Sequence, residues 1–360
     1  MIKQYLARPF QFLVLVAVLL WGSSVFVAYA ADIKESAPSR YVVKKGDTLW
    51  DISGFYLDEP WRWPELWVKN TQIENPHLIF PGDVLVLSFV DGVPFLSIEK
   101  QKQKFVLSPE SKRKDKSSAI DVLPWTLLEP YIGQSWVVSA DDFIVLPKVL
   151  GNGEGSITFA NNDVLLTKQS ERSEDQLYIT RNMGSIRDME GNELGVKLNH
   201  VADAEVLIDE LDSEWLVQVK NNKREVVQGD VLWNAPEYDR ESLVLQPAEN
   251  VTGHVIGGFD DHYLFGKFDV VIVDLGSDEV NPGSVLGIYA QGPDIVDKKK
   301  PKYVEKSDTV LRSLEEGETV SQPAIKMGEL IVFSVFDSVS YGIITRSKKS
   351  IKRGFVVGKP

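Results

Sequence analysis

The chain has 360 residues, 43% of them hydrophobic and 25% charged, so it carries enough apolar material for packed cores, and wholesale disorder is excluded. Its net charge of −13 makes it a poor match for polyanions such as nucleic acid. It contains no cysteine, which removes thiol nucleophiles, lipid attachment at a lipoprotein cysteine and structural zinc of the cysteine type.

In chain order, the first element is a leader. Lys3 and Arg8 precede an almost uncharged run from Phe10 to Ala28, and Ala28-Tyr29-Ala30 is a small-x-small pattern before the polar stretch Asp32 to Arg40. A charged start, an apolar middle and small residues at the cut are the order of a secretory signal peptide, so residues 1–30 are assigned to one, with cleavage after Ala30. The alternative is a retained anchor, because the apolar run approaches the length that spans a bilayer. Either reading carries the rest of the chain across a membrane.

Residues 41–88 read as strand, helix, helix, strand. Tyr41-Val42-Val43-Lys44 is a short strand and Gly46-Asp47 a turn. Thr48 is placed to cap a helix whose first turn holds Asp51, and Leu49, Ile52 and Tyr56 fall on one apolar face. Pro64 and Glu65 can open a second helix. Asn75-Pro76 breaks the pattern, Pro81-Gly82-Asp83 is a turn, and Val84 to Leu87 is the last strand.

The two separated stretches Tyr41 to Ile52 and Asn75 to Leu85, in that order, resemble the LysM family. The resemblance implies a small βααβ domain that binds glycans containing N-acetylglucosamine, including peptidoglycan. It also implies a groove lined by Gly46, Asp47, Thr48, Leu49, Asn75, Pro76, Leu78 and Ile79. Such a groove suits an acetamido sugar, which offers an amide, a methyl group and hydroxyls to exposed peptide groups and a few apolar side chains. The competing reading makes Leu49, Pro76 and Ile79 core, as Ile52, Val84 and Leu85 are expected to be. Asp58 to Trp63 lengthens the stretch between the helices. Together with Trp50 and Trp67 it supplies either an aromatic sugar platform, through Trp61 and Trp63, or extra core for a tiny domain.

Residues 89–120 are rich in Lys and Arg within an otherwise acidic protein, and are read as a charged linker, either a solvated tether or a contact to anionic wall polymer. Beyond it the helical period is lost. Trp136-Val137-Val138, Ser156 to Phe159, Leu177 to Thr180 and Val270 to Val273 are short β-rich runs bounded by turn residues. The expected fold class is therefore α+β and multidomain. A LysM domain is followed by a β-dominated region of small barrels or sandwiches, divided at 121–245 and 246–360. A faint repeat relates Leu194-Gly195 through Asp230-Val231 to Met327-Gly328 through Phe355-Val356, which suggests duplicated β modules.

The segments Gly253 to Ile256, Asp269 to Gly276, Asn281 to Leu286 and Gly328 to Val335 are similar to the C-terminal module of flagellar assembly protein T. The full layout resembles the type IV pilus secretin-associated protein family. That resemblance implies a periplasmic, non-enzymatic protein linking an outer-membrane secretin ring to peptidoglycan; the alternative is a general or flagellar envelope scaffold. A peptidoglycan hydrolase is the remaining class. The four histidines show no zinc-hydrolase spacing, no Gly-x-Ser-x-Gly elbow occurs, and no catalytic, cofactor or metal residue is assigned.

Overall fold

A computed structural model describes residues 33–67, 79–90, 92–99, 125–168, 177–208, 214–235, 238, 243–260, 262–297, 299–303 and 318–360. The leader and most of the charged linker lie outside these residues. Among the described residues no helix is long and apolar enough to cross a membrane. The chain divides into two compact units, Met1–Leu123 and Pro124–Pro360.

In the first unit, β1 (Arg40–Val42) leads to α1 (Leu49–Tyr56), a 3₁₀ turn at Pro60–Arg62 and α2 (Trp63–Trp67). The strands β2 (Val84–Val90) and β3 (Val93–Glu99) complete an antiparallel sheet in the order β1-β2-β3. Val43, Ile52, Tyr56, Leu66, Val84 and Leu85 fill the core between helices and sheet. The linker assignment from residue 89 is corrected here. Val93 to Glu99 pairs along the whole of β2, because Gly92, at φ +81°, turns the chain back and Val93, Phe95 and Ile98 suit a strand.

The second unit is strand-dominated, as expected. It opens with α3 (Trp125–Leu128), β4 (Ser135–Val138) and α4 (Ala140–Val145). Two barrels follow. The first contains β5 (Val149–Gly151), β6 (Thr158–Phe159), β7 (Val164–Lys168), β8 (Leu177–Arg187), β9 (Glu193–Ile208), β10 (Glu214–Lys220), β11 (Val226–Val227) and β12 (Val231–Trp233). Its main sheet runs β12-β8-β9-β10-β7-β5, and the bridge Lys148↔Val231 joins the two ends into a ring. β4 pairs with the opening residues of β9. The interior holds Leu165, Ile179, Val217, Val219 and Trp215.

The second barrel contains β13 (Gln246–Pro247), β14 (Thr252–Gly258), β15 (Leu264–Phe265), β16 (Val270–Val273), β17 (Ser284–Ala290), β18 (Ile295–Asp297), β19 (Lys302–Tyr303), β20 (Glu318–Val320), β21 (Ile325–Val335), β22 (Ser340–Ser347), β23 (Ile351–Lys352) and β24 (Val356–Gly358). β17, β21, β22, β16, β14 and β24 form a closed ring, since β24 pairs with both β14 and β17. Its interior is packed with Val255, Val271, Leu286, Ile288, Leu330 and Ile344. Closure leaves neither barrel with the exposed edges of an open sheet.

The two barrels have one topology. β5, β6 and β7 correspond to β14, β15 and β16; β8 corresponds to β17; β9 to β12 correspond to β21 to β24. Each main pairing recurs, including the small β6–β11 and β15–β23 ladders. Details recur too. Asp163 accepts a hydrogen bond from Ala160 N at 2.8 Å and Asp269 from Gly266 N at 2.7 Å, each after a residue at positive φ, Asn162 at 71° and Phe268 at 74°. Gly229 and Gly354 share φ +88° in the turn before the last strand. The repeat read from sequence is therefore a duplication of the whole barrel. The second half of that repeat is in register, with Leu216 to Val219 matching Tyr341 to Ile344 and Asp230 matching Phe355. The first half is not: by strand register Gly328 corresponds to Ala202, not to Gly195, because β9 carries extra residues at its start.

Within this unit the barrels are packed together. The Tyr341 hydroxyl lies 3.0 Å from Ser135 Oγ in a buried contact, and burial raises the phenol pKa. The β8–β9 hairpin reaches across as an arm. Arg353 Nη2 donates to the carbonyls of Arg187 and Asp188, and Lys197 Nζ donates to the Phe259 carbonyl.

Candidate glycan-binding site

The loop from Val43 to Thr48 is built on few residues with fixed roles. Gly46 has φ +93°, a conformation that L side chains rarely adopt, and nothing lies within 4 Å of the position its Cβ would take. A ligand can therefore approach the backbone there without meeting a side chain. Asp47 fixes the loop from beside it: its carboxylate accepts from Lys44 N and from the Tyr41 hydroxyl, both at 2.8 Å. Burial and that hydrogen bond push the Tyr41 phenol up to about 12. Thr48 then starts α1, its Oγ1 accepting from Asp51 N at 3.1 Å while its hydroxyl donates to Asp51 Oδ2 at 2.7 Å. Such a cap contributes about 1 kcal/mol to the helix.

The second loop is joined to the first by backbone. Gly82 N donates to the Val43 carbonyl at 2.8 Å, and Val43 N to the Asp83 carbonyl at 2.9 Å. Gly82 takes φ +99°, and Asp83 Oδ2 accepts from Phe80 N at 2.9 Å, so Pro81-Gly82-Asp83 is the turn expected. The strand–helix loop and the turn from Phe80 to Asp83 are thus held side by side.

The proposed lining divides when placed on this geometry. Gly46 is exposed and Asp47 half-buried; Thr48 is buried in its capping role. Leu49 and Ile79 are corrected from groove to core. They are 2% and 0% exposed, so their side chains offer no surface to a ligand. Asn75, Pro76 and Leu78, with His77, lie outside the described residues.

The tryptophan insert is also resolved. Trp61, Trp63 and Trp67 are buried and Trp50 is half-buried, and the indole N–H groups of the buried three have no hydrogen-bond partner among the described residues. They serve as apolar filling, not as a sugar platform. Arg62 holds the insert in place, with Nε and Nη2 each 2.7 Å from the two oxygens of Glu65. One exposed aromatic escapes the sequence reading: Phe55, on α1, stacks on Tyr41 at 5.1 Å between ring centroids and faces solvent. The signal for it is present, since Phe55 falls off the Leu49–Ile52–Tyr56 stripe.

In the second unit, His254 Nδ1 is 3.2 Å from Asp274 Oδ2, and among the described residues no three metal-binding side chains gather.

Comparison with known proteins agrees with the geometry of the first unit. A protein of Bacillus subtilis (strain 168), described as the uncharacterized protein YqbP, is 41% identical over 61 residues, covering 14% of this chain and 28% of that relative. The chain therefore spans less than a third of that relative's length. Residues 41–88 match the LysM domain family, whose members bind glycans containing N-acetylglucosamine. The strand, capped helix, second helix and strand between Tyr41 and Ser88 are a LysM domain, and this points to peptidoglycan binding.

Proposed function

We propose that this protein is a non-enzymatic, periplasmic scaffold that anchors an outer-membrane secretin of the type IV pilus system to the cell wall. The observation that carries the wall-binding half is the LysM domain, with its open backbone at Gly46 in a loop tied to the turn before β2. The secretin half draws on the layout of the chain: a leader, one LysM domain, a charged stretch and a rigid pair of barrels. In this reading the LysM domain holds peptidoglycan weakly, the barrels engage the secretin, and several copies around one ring multiply weak contacts into a firm attachment. A general or flagellar envelope scaffold shares the wall-binding half and differs in the partner.

The test is sedimentation with purified peptidoglycan sacculi of the chain from Ala31 onward, beside the fragment 124–360. The longer chain is expected to pellet, to release no muropeptides and, from envelope extracts, to bring secretin with it; the fragment is expected to stay in solution. Pelleting without secretin would select the general scaffold. Muropeptide release would make the protein a hydrolase, and a longer chain that stays soluble would end the wall-binding reading.

A further inference from the structure

The duplication sets up a comparison that the molecule itself does not balance. In barrel 2, outward side chains of β14, β16 and β22 are covered. Ile256 is 5% exposed, Val270 and Ile272 are 4% exposed, and Tyr341 is fully buried against Ser135 of β4. Ile256 and Ile272 floor a cleft roofed by the β8–β9 arm of barrel 1.

Strand register assigns the counterparts of these four residues in barrel 1: Leu150, Val164, Leu166 and Leu216. They lie on the adjacent strands β5, β7 and β10 and point outward, because Val149, Leu165, Thr167, Trp215 and Val217 alternate with them into the interior. Leu150 is 38% and Val164 39% exposed, and Leu166 and Leu216 are only half-buried. An apolar strip on the outside of a closed barrel marks a contact surface.

Of the two covering elements, the arm has a counterpart in barrel 2, while β4, which covers Tyr341, has none among the described residues. Barrel 1 reaches over its neighbour with the β8–β9 arm. The equivalent connection in barrel 2, between β17 and β21, carries β18, β19 and β20 and presents Tyr303, Val320 and Ile325 to solvent. Among the described residues, one molecule thus carries a receiving face without its arm and an arm without its receiving face. We infer that the β5–β7–β10 face of barrel 1 receives the described strands of the β17–β21 arm, with Tyr303, Val320 and Ile325, from a second copy of this chain, repeating between molecules the arm contact that joins the barrels within one. The two surfaces differ, so the contact is head-to-tail, and it propagates into a chain or closes as a ring.

The inference does not rest on wall binding or on a secretin, and its test keeps them apart. The sequence has no cysteine, so single cysteines can be placed freely. Val164→Cys and Ile325→Cys proteins, otherwise full-length from Ala31, are mixed and treated with a short bis-maleimide. Linked dimers are expected in the mixture well above the yield from either protein alone. Analytical ultracentrifugation of the unmodified protein should show the mean mass rising with concentration past that of a dimer. Val164→Glu and Ile325→Glu should each abolish the rise while keeping the melting temperature and sacculus sedimentation of the parent. A mass that stays monomeric at all concentrations would overturn the inference. Linkage of Val164→Cys chains mainly to one another would also overturn it, since that is a face-to-face dimer.

Discussion

Single residues in this protein do work that can be separated by chemistry. Asp230 is buried at the seam of barrel 1, accepting from Arg181 Nε and Nη2 at 2.9 and 2.8 Å and from Val227 N at 2.9 Å. That hydrogen-bonded pair raises the Arg181 pKa. Barrel 2 has Phe355 in the same place, so the charge pair is private to barrel 1. Asp230→Asn keeps the shape and loses the charge-assisted bonds, and is expected to cost about 2 kcal/mol, read as a lower urea midpoint for the second unit. His200 is a second case. Burial, and then the Lys223 ammonium, hold its pKa below the ordinary 6.5, against the opposing pull of Asp203, while Trp136 and Tyr178 pack on its ring. An unfolded chain takes up a proton near 6.5 while the folded one keeps His200 neutral. Its contribution to stability is therefore full above that value and is lost as pH falls from it towards the folded pKa. Urea midpoints of the second unit should fall over that window, and His200→Gln should flatten the slope; an unchanged slope would show that other groups set it. The capping role of Thr48 is legible from Thr-x-x-Asp alone. The burial of Leu49 and Ile79 is not, because a groove wall and a core wall ask for the same apolar side chains, and only the neighbours decide.

At the scale of elements, periodicity carries the reading where a stretch faces one environment. The alternation of β10, with Trp215, Val217 and Val219 inward, is plain in sequence. So is the all-apolar run Val270 to Val273, whose four residues are all buried. The helices α3 and α4 escape detection because each is shorter than two turns and gives no stripe. Ser139 and Asp142 do hold the signature of α4: the serine Oγ accepts from Asp142 N at 3.0 Å. Strand β3 reads as linker because its neighbours at 100–116 are basic, although its own residues suit a strand. The repeat is misregistered in its first half because a glycine serves as the anchor. Both glycines are held by a close approach, but to different strands: a Cβ at Gly328 would lie 2.2 Å from the Arg346 carbonyl oxygen across the β21–β22 ladder, and one at Gly195 would lie 2.7 Å from the Val138 carbonyl oxygen across the β4–β9 ladder, which has no counterpart among the described residues of barrel 2. Gly328→Ala should therefore force these paired strands apart and cost about 3 kcal/mol. The check is chemical denaturation of the second unit, with the LysM domain, as a separate unit, left at its parental stability.

At the scale of the molecule, the sequence makes the division of labour visible without its mechanics. A small α/β domain with a recognisable glycan-binding pattern precedes a larger β-rich body, and both are legible from motif order and strand-like runs. The likeness of the two barrels is legible only in part, because some matching positions keep their residue, as Leu177 and Leu286 do, while others change it, as Ala204 and Leu330 do. Topology recurs where composition has drifted, and backbone pairing extends to the whole barrel a repeat that the sequence shows faintly and in register only over its second half. That pairing also bears on how the body comes into being. In barrel 1 the ring is completed by residues 148 and 231, and in barrel 2 by β14 and β24, Thr252 to His254 meeting Val356 to Gly358. The first and last strands of each ring are neighbours, so closure waits until the whole repeat has emerged and must form contacts far apart along the chain. A nascent or truncated repeat has two bare strand edges in place of a seam, and bare edges pair with other chains. Each barrel is thus an all-or-nothing object during biogenesis, and a chain cut inside either repeat would reach its compartment as a substrate for proteases and not as a smaller scaffold.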